Sequence, residues 1–218
     1  MTAEHAVLDA AAEAALRLAA ERPWREVTLR DIAAAAKIPM AAFYGVARSK
    51  DDIVDAVMTR FDRAAADELD LDAGASARER VFDAAMARFD AMEMERMGVV
   101  SIMEDVFADP LAPLRFWPRA TRTARWLLEL AGVDTAGPAG AARTQGMVAI
   151  LARTMRAWLK DDAGDLSRTM ATLDRALRDV ESWKERVSTW TRGAARGPAG
   201  AGAARDEGES EEPAERGS

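Results

Sequence analysis

Apolar residues recur three and four positions apart along almost the whole of this 218-residue chain, and no stretch shows the alternation of a strand. That property constrains the fold most, because a period near 3.6 buries one face of a helix and a period of two is needed for a sheet. Val7, Ala11, Ala14 and Leu18 predict a first helix over about 2–21. Thr28 opens a second, with Asp31 three residues on as a capping-box variant and Leu29, Ile32, Ala33 and Ala36 as its buried face. A turn is expected near Lys37 and Ile38. Pro39 then suits the first position of a short third helix that carries Met40, Phe43 and Tyr44.

Ser49, Asp51 and Asp52 read as the cap and acidic first turn of a long helix reaching about Leu69, with Ile53, Val57, Phe61 and Ala64 as its stripe. Ser76 and Glu79 form a strict capping box before Val81, Phe82, Met86 and Phe89. Shorter helices are predicted over 98–107 and 117–131, separated by Pro110 and Pro113. A loop over 132–140 precedes two long helices, about 141–159 and 166–190. From Gly193 onward no large apolar residue occurs, which predicts a disordered tail. The expectation is an all-α chain of about nine helices in three parts: 1–63, 64–192 and 193–218.

Composition narrows the chemistry. There is no cysteine, and His5 is the one histidine, so thiol nucleophiles, thiolate metal sites and the usual catalytic base are missing. Glu104 and Asp105 are adjacent carboxylates with no nucleophile or base constellation around them. Asp161, Asp162 and Asp165 read as a loop and helix cap rather than a cation site. No enzyme, cofactor or metal is expected. Net charge is −7, and residues 1–63 carry nine basic and ten acidic side chains, so any nucleic-acid footprint has to be local. No signal peptide or membrane-spanning run is apparent, and a cytoplasmic location is expected.

Val7-Leu8-Asp9-Ala10-Ala11, Val27 to Ala33, Phe43-Tyr44 and Ser49-Lys50, with the helix to Phe61, together resemble the N-terminal domain of the TetR family of transcriptional regulators. The resemblance implies an all-helical, TetR-like fold: a helix-turn-helix domain followed by a variable ligand-binding and dimerisation domain, acting as a homodimer. It also implies DNA contacts at Thr28, Tyr44 and Lys50, with Met40 and Ala41 among the base-facing positions of the third helix. Those base-facing positions bring almost no hydrogen-bonding groups, and apolar side chains there offer contact only to thymine methyls.

Trp158 to Asp162, Asp165-Leu166, Thr169-Met170 and Leu173 to Leu177 resemble a second family, the lipid-binding accessory protein of coenzyme Q (ubiquinone) biosynthesis. That resemblance implies an isoprenoid ligand, no DNA binding and peripheral membrane contact. Trp183, Val187 and Trp190 fall at membrane-docking spacing, although a dimer seam explains the same spacing. Under either resemblance an apolar ligand is expected in the second part. Its candidate lining is Phe82, Met86, Phe89, Met103, Phe107, Trp126, Met147 and Met155, chosen because methionine and aromatic side chains adapt to apolar ligands. The same residues also suit an ordinary helical core.

Overall fold

The computed structural model describes residues 3–68, 74–161 and 164–194, with the backbone alone at Pro113 and over 181–194. The expected tail from residue 195 on and the side chains of Asp162, Trp183, Val187 and Trp190 lie outside the described residues, while Gly193 and Ala194, expected in the tail, end the last helix. Among those described are nine α-helices, one 3-10 turn and no strand. The helices are α1 (Ala3–Glu21), α2 (Leu29–Ala35), α3 (Met40–Val46), α4 (Lys50–Glu68), α5 (Ala77–Glu93), α6 (Arg96–Ala108), α7 (Ala112–Leu130), α8 (Gly137–Trp158) and α9 (Ser167–Ala194), with the 3-10 turn at Trp24–Glu26 between α1 and α2. One compact unit ends at Arg178 and a second begins at Asp179; the contacts described below belong to the first.

Helix α1 is the pivot of the packing, lying against α4 and α6 more extensively than any other pair except α4 with α5. Its buried positions are nearly all small: Ala11, Ala12, Ala14, Ala15 and Ala19 surround Leu16. Small side chains let two helices approach its backbone closely. At the α6 crossing the approach is so close that a Cβ on Gly98 would sit 2.3 Å from the Leu16 carbonyl oxygen. The largest wholly buried side chains include Phe43, Phe89, Leu16, Ile32, Ile53, Ile102, Leu127 and Trp158.

Helix α4 connects the first three helices to α5 and α7, and its polar side chains make that junction. The Asp62 carboxylate accepts from Arg88 Nε of α5 at 2.6 Å and from Thr123 Oγ1 of α7 at 2.8 Å. Trp126 Nε1 donates to the Asp62 carbonyl at 3.2 Å. Arg88 and Asp62 are a buried pair, their side chains 5% and 14% exposed. The remaining Arg88 nitrogens face the sulfur atoms of Met92 and Met58. One turn away, Arg119 of α7 donates to the Asp55 carboxylate and to the Asp51 carbonyl, both at 2.7 Å, and Arg122 also reaches Asp55.

Several boundaries differ from the sequence expectation, the most informative at prolines. Helix α7 begins at Ala112, five residues early, because Pro113 sits at its second position, where no intrahelical N–H bond is lost. Pro118 lies inside α7, where its ring removes one rung of the hydrogen-bond ladder. Helix α8 begins at Gly137, with Pro138 in its first turn. Pro39 stands just before α3 as its N-cap rather than within it.

The corner between α8 and α9 accounts for most residues of the second resemblance. Trp158 is buried, and the Asp161 carboxylate accepts from Thr169 N at 2.8 Å and Thr169 Oγ1 at 2.9 Å. Asp165 accepts from Ser167 N at 2.9 Å. Arg96 of α6 stacks over the Trp158 ring and donates to the Trp158 and Asp161 carbonyls at 3.1 and 2.8 Å. Asp161 and Asp165 therefore hold the start of α9.

Candidate nucleic-acid interface

The sequence folds the α2–α3 segment by pairing its few polar groups locally. Thr28 caps α2: its hydroxyl accepts from Asp31 N at 3.1 Å, and the Asp31 carboxylate accepts from Thr28 N at 3.0 Å. The hydroxyl proton goes to the same carboxylate at 2.8 Å, and Arg22 pairs with it at 2.8 Å. The hydrogen bonds from Thr28 hold the Asp31 pKa below its ordinary 3.8, against a smaller opposing effect of burial. Asp52 does the same work at the start of α4, accepting from Arg48 N, Ser49 N and Ser49 Oγ at 2.9 Å each. Burial raises the Asp52 pKa, but those hydrogen bonds outweigh it and the net shift is downward.

Between the helices the chain turns on Lys37. Helix α2 ends with Lys37 N bonded to the Ala34 carbonyl at 3.1 Å and Ile38 N to the Ala33 carbonyl at 2.9 Å. This is the paired closure of a Schellman turn, with Lys37 at the left-handed position, φ 58°. Glycine is the residue that fits there without strain. Helix α7 closes in the same way with Gly132, φ 70°. A lysine at such a position costs roughly 1–2 kcal/mol.

Helix α3 buries Phe43 completely and turns its other face outward. Tyr44 is 59% exposed and Met40 45%, with Ala41, Ala42 and Gly45 exposed beside them. Within 28–50 the one acid is Asp31, already engaged by its cap, whereas the bases are Arg30, Lys37, Arg48 and Lys50. The side chains of Arg30, Lys37 and Arg48 are exposed and have no ion-pair or hydrogen-bond partner among the described residues. Lys50 is different. Its ammonium bonds the Trp24 carbonyl and lies 4.4 Å from the Trp24 ring centroid. Burial pushes its pKa down, with Asp105 opposing. Trp24 is in turn fixed to α6 by its own N–H, which donates to Ser101 Oγ at 3.0 Å.

Of the five candidate DNA-contacting residues, Thr28, Met40, Ala41 and Tyr44 are exposed, and Lys50 is turned toward Trp24. Lys37 and Arg48 are further exposed cations of this segment and were not among the candidates. The signal for Lys37 was its place in the expected turn.

The eight candidate ligand residues are spread over α5 to α8. Met86, Phe89, Met103 and Met147 are buried, and Phe82 and Met155 are half-buried. Phe107 and Trp126 are 48% and 42% exposed, the first near Arg156 and the second bonded to Asp62. Two concavities lie elsewhere. One, of about 390 Å³, runs between the end of α1 and α6 past Trp24, Met97 and Ser101. The other, open and about 750 Å³, follows the α7–α8 loop from Arg125 to Ala141. No helix among the described residues is long and apolar enough to cross a membrane.

A capped helix, a tight turn and a short exposed helix, braced by α1, define a helix-turn-helix head on a helical body. Residues 11–57 match the family model for bacterial regulatory proteins, tetR family. Among solved structures the chain is similar to the TetR transcriptional regulator from Nitrosomonas europaea ATCC 19718, at 24% identity and a TM-score of 0.63, over 81% of this chain and 98% of that one. It is also similar to a tetR-family transcriptional regulator from Streptomyces coelicolor, at 17% identity and a TM-score of 0.53, over 89% and 87% of the two chains. No curated protein matches it in sequence. The head matches that family's model, and the fold of the chain is TetR-like.

Proposed function

We propose that this protein is a TetR-type transcriptional regulator, non-enzymatic, which binds operator DNA through α2 and α3. The observation that carries this reading is the sorting of charge in the head. Within 28–50 the one acid, Asp31, is drawn into the cap of α2, while Arg30, Lys37 and Arg48 are exposed and the exposed residues of α3 include no acid. Phosphate neutralisation by such cations supplies much of the affinity for DNA, so a local basic surface suffices on a chain of net charge −7. Two heads are needed to span two half-sites one helical turn apart, and the protein acts as a homodimer. Helix α8 supports this, because Ala142, Gln145, Ala149 and Ala152 repeat at three- and four-residue spacing on an exposed face that a second helix can approach closely. An apolar effector among α5 to α8 shifts the spacing of the heads through α4. In this reading residues 1–63 are the DNA-binding part and 64–192 the regulatory and dimerisation part.

The test is a mobility shift of the full chain on duplex DNA from upstream of its own gene. A specific, salt-sensitive shift that is weakened in Tyr44→Ala and Arg48→Ala is expected. An absent shift, with an isoprenoid lipid co-purifying in native mass spectrometry, contradicts the regulator and favours a lipid carrier.

A further inference from the structure

Two exposed positions of the head carry residues that the fold itself does not favour, in opposite senses. At Lys37 the backbone is left-handed, φ 58°, where glycine fits best. Among the described residues the other non-glycine in that conformation, Leu166, has φ 54° and is only 5% exposed, so its burial accounts for it. Lys37 is exposed and its ammonium has no partner among the described residues, so none of them accounts for the lysine.

At Gly45 the situation is reversed. The residue lies within α3 with ordinary helical backbone, and a Cβ there would meet nothing within 4 Å. Alanine would stabilise the helix and clash with no neighbour. At about 100° per residue, Gly45 lies roughly 200° around the helix from buried Phe43. It therefore occupies the middle of the outward face, with Ala41 one turn before it and Met40, Ala42 and Tyr44 to either side. An unfavoured residue that persists at an exposed site points to a demand from outside the chain.

We propose that both positions are set by duplex DNA: Lys37 by a backbone phosphate, and Gly45 by close approach of α3 to the floor of the major groove at A·T pairs. This rests on the regulator reading and adds its target class. With no side chain at Gly45, the α3 backbone lies near enough for Met40, Ala41 and Ala42 to pack against thymine 5-methyl groups. No exposed α3 side chain presents a guanidinium, amide or carboxylate, so guanine, adenine and cytosine edges go unread by the pairings that usually recognise them. Specificity then comes from methyl contacts, and position on the duplex from Lys37, Arg48 and Arg30.

The experiment is selection from a random duplex library with the full-length protein, followed by titration of the selected duplex across a salt series. Lys37→Gly should raise Tm, weaken binding and reduce the magnitude of the salt slope by about 1. Gly45→Ala should also raise Tm, yet weaken the selected duplex about tenfold while leaving random duplex unchanged, as a blocked groove contact requires. Replacing thymine by deoxyuridine in the selected half-sites should weaken binding about fourfold per methyl lost, the value of one buried methylene-sized group. Guanine-centred sites, indifference to deoxyuridine, or variants that gain stability without losing affinity overturn the inference while the regulator reading stands. Failure of the wild type to select any sequence overturns both.

Discussion

The head and the α4–α5–α7 junction use polar side chains in opposite ways. In the head, Thr28, Asp31, Ser49 and Asp52 bond backbone groups within four residues of themselves, and the exposed residues of α3 are left without a charge. At the junction, Asp62, Arg88 and Thr123 bond one another across three helices, out of water. Local caps fix the conformation of short helices without tying them to the body. The buried network fixes how α4 sits on the body and so where the head is carried. Head residues should therefore govern what is bound, and junction residues whether the protein stays folded and in register.

The largest effect that sharpens this contrast is expected at Arg88. Arg88→Met leaves the Asp62 carboxylate, 14% exposed, with Thr123 alone, and loss of one partner from a buried pair costs about 3–5 kcal/mol. Thermal denaturation should show it, and the double variant Arg88→Met/Asp62→Asn should recover part of the loss. A change below about 1 kcal/mol would break the contrast, because the junction would then resemble a surface pair. Next in size is Gly98→Ala. Its Cβ would overlap the Leu16 carbonyl and force α1 from α6, lowering stability by about 1–3 kcal/mol.

Smaller effects belong to the caps. Thr28→Ala should lower stability by about 1 kcal/mol, measurable by urea denaturation. Asp31, Asp52 and Glu79 all have pKa values held below their ordinary ones, Asp31 and Glu79 chiefly by hydrogen bonds from Thr28 and Ser76. The stability they confer is complete above the unfolded-state values and is lost as pH falls through the lower folded-state values. Tm should therefore drop as pH falls below about 4, and less steeply in Thr28→Ala. Asp90 works the other way, because burial and the nearby Glu68 and Glu93 raise its pKa.

What the sequence makes legible follows the same division. The Thr28–Asp31 and Ser76–Glu79 capping boxes are local, span four residues and read directly from the chain. So do the helical stripes, the turn at Lys37 and the cap role of Asp161 and Asp165. The early start of α7 was hidden because Pro113 reads equally well as a breaker and as a first-turn residue. The inward turn of Lys50 depends on Trp24, 26 residues away, and the Asp62–Arg88–Thr123 network joins positions 26 and 61 apart. Such pairings have no local signature. Lys37 was visible as a cation in a turn, but its strain needed a backbone angle.

The central claim is that the α2–α3 surface, and not the body, meets DNA through its unpaired cations. It is tested most directly by the salt dependence of binding, measured by fluorescence anisotropy on one duplex for wild type, Arg48→Ala, and the Arg30→Ala/Arg48→Ala double variant. Each cation removed should reduce the magnitude of the log K against log salt slope by about 0.9, with Tm changed by no more than exposed substitutions allow. Equal slopes for all three proteins, at unchanged Tm, would contradict the account.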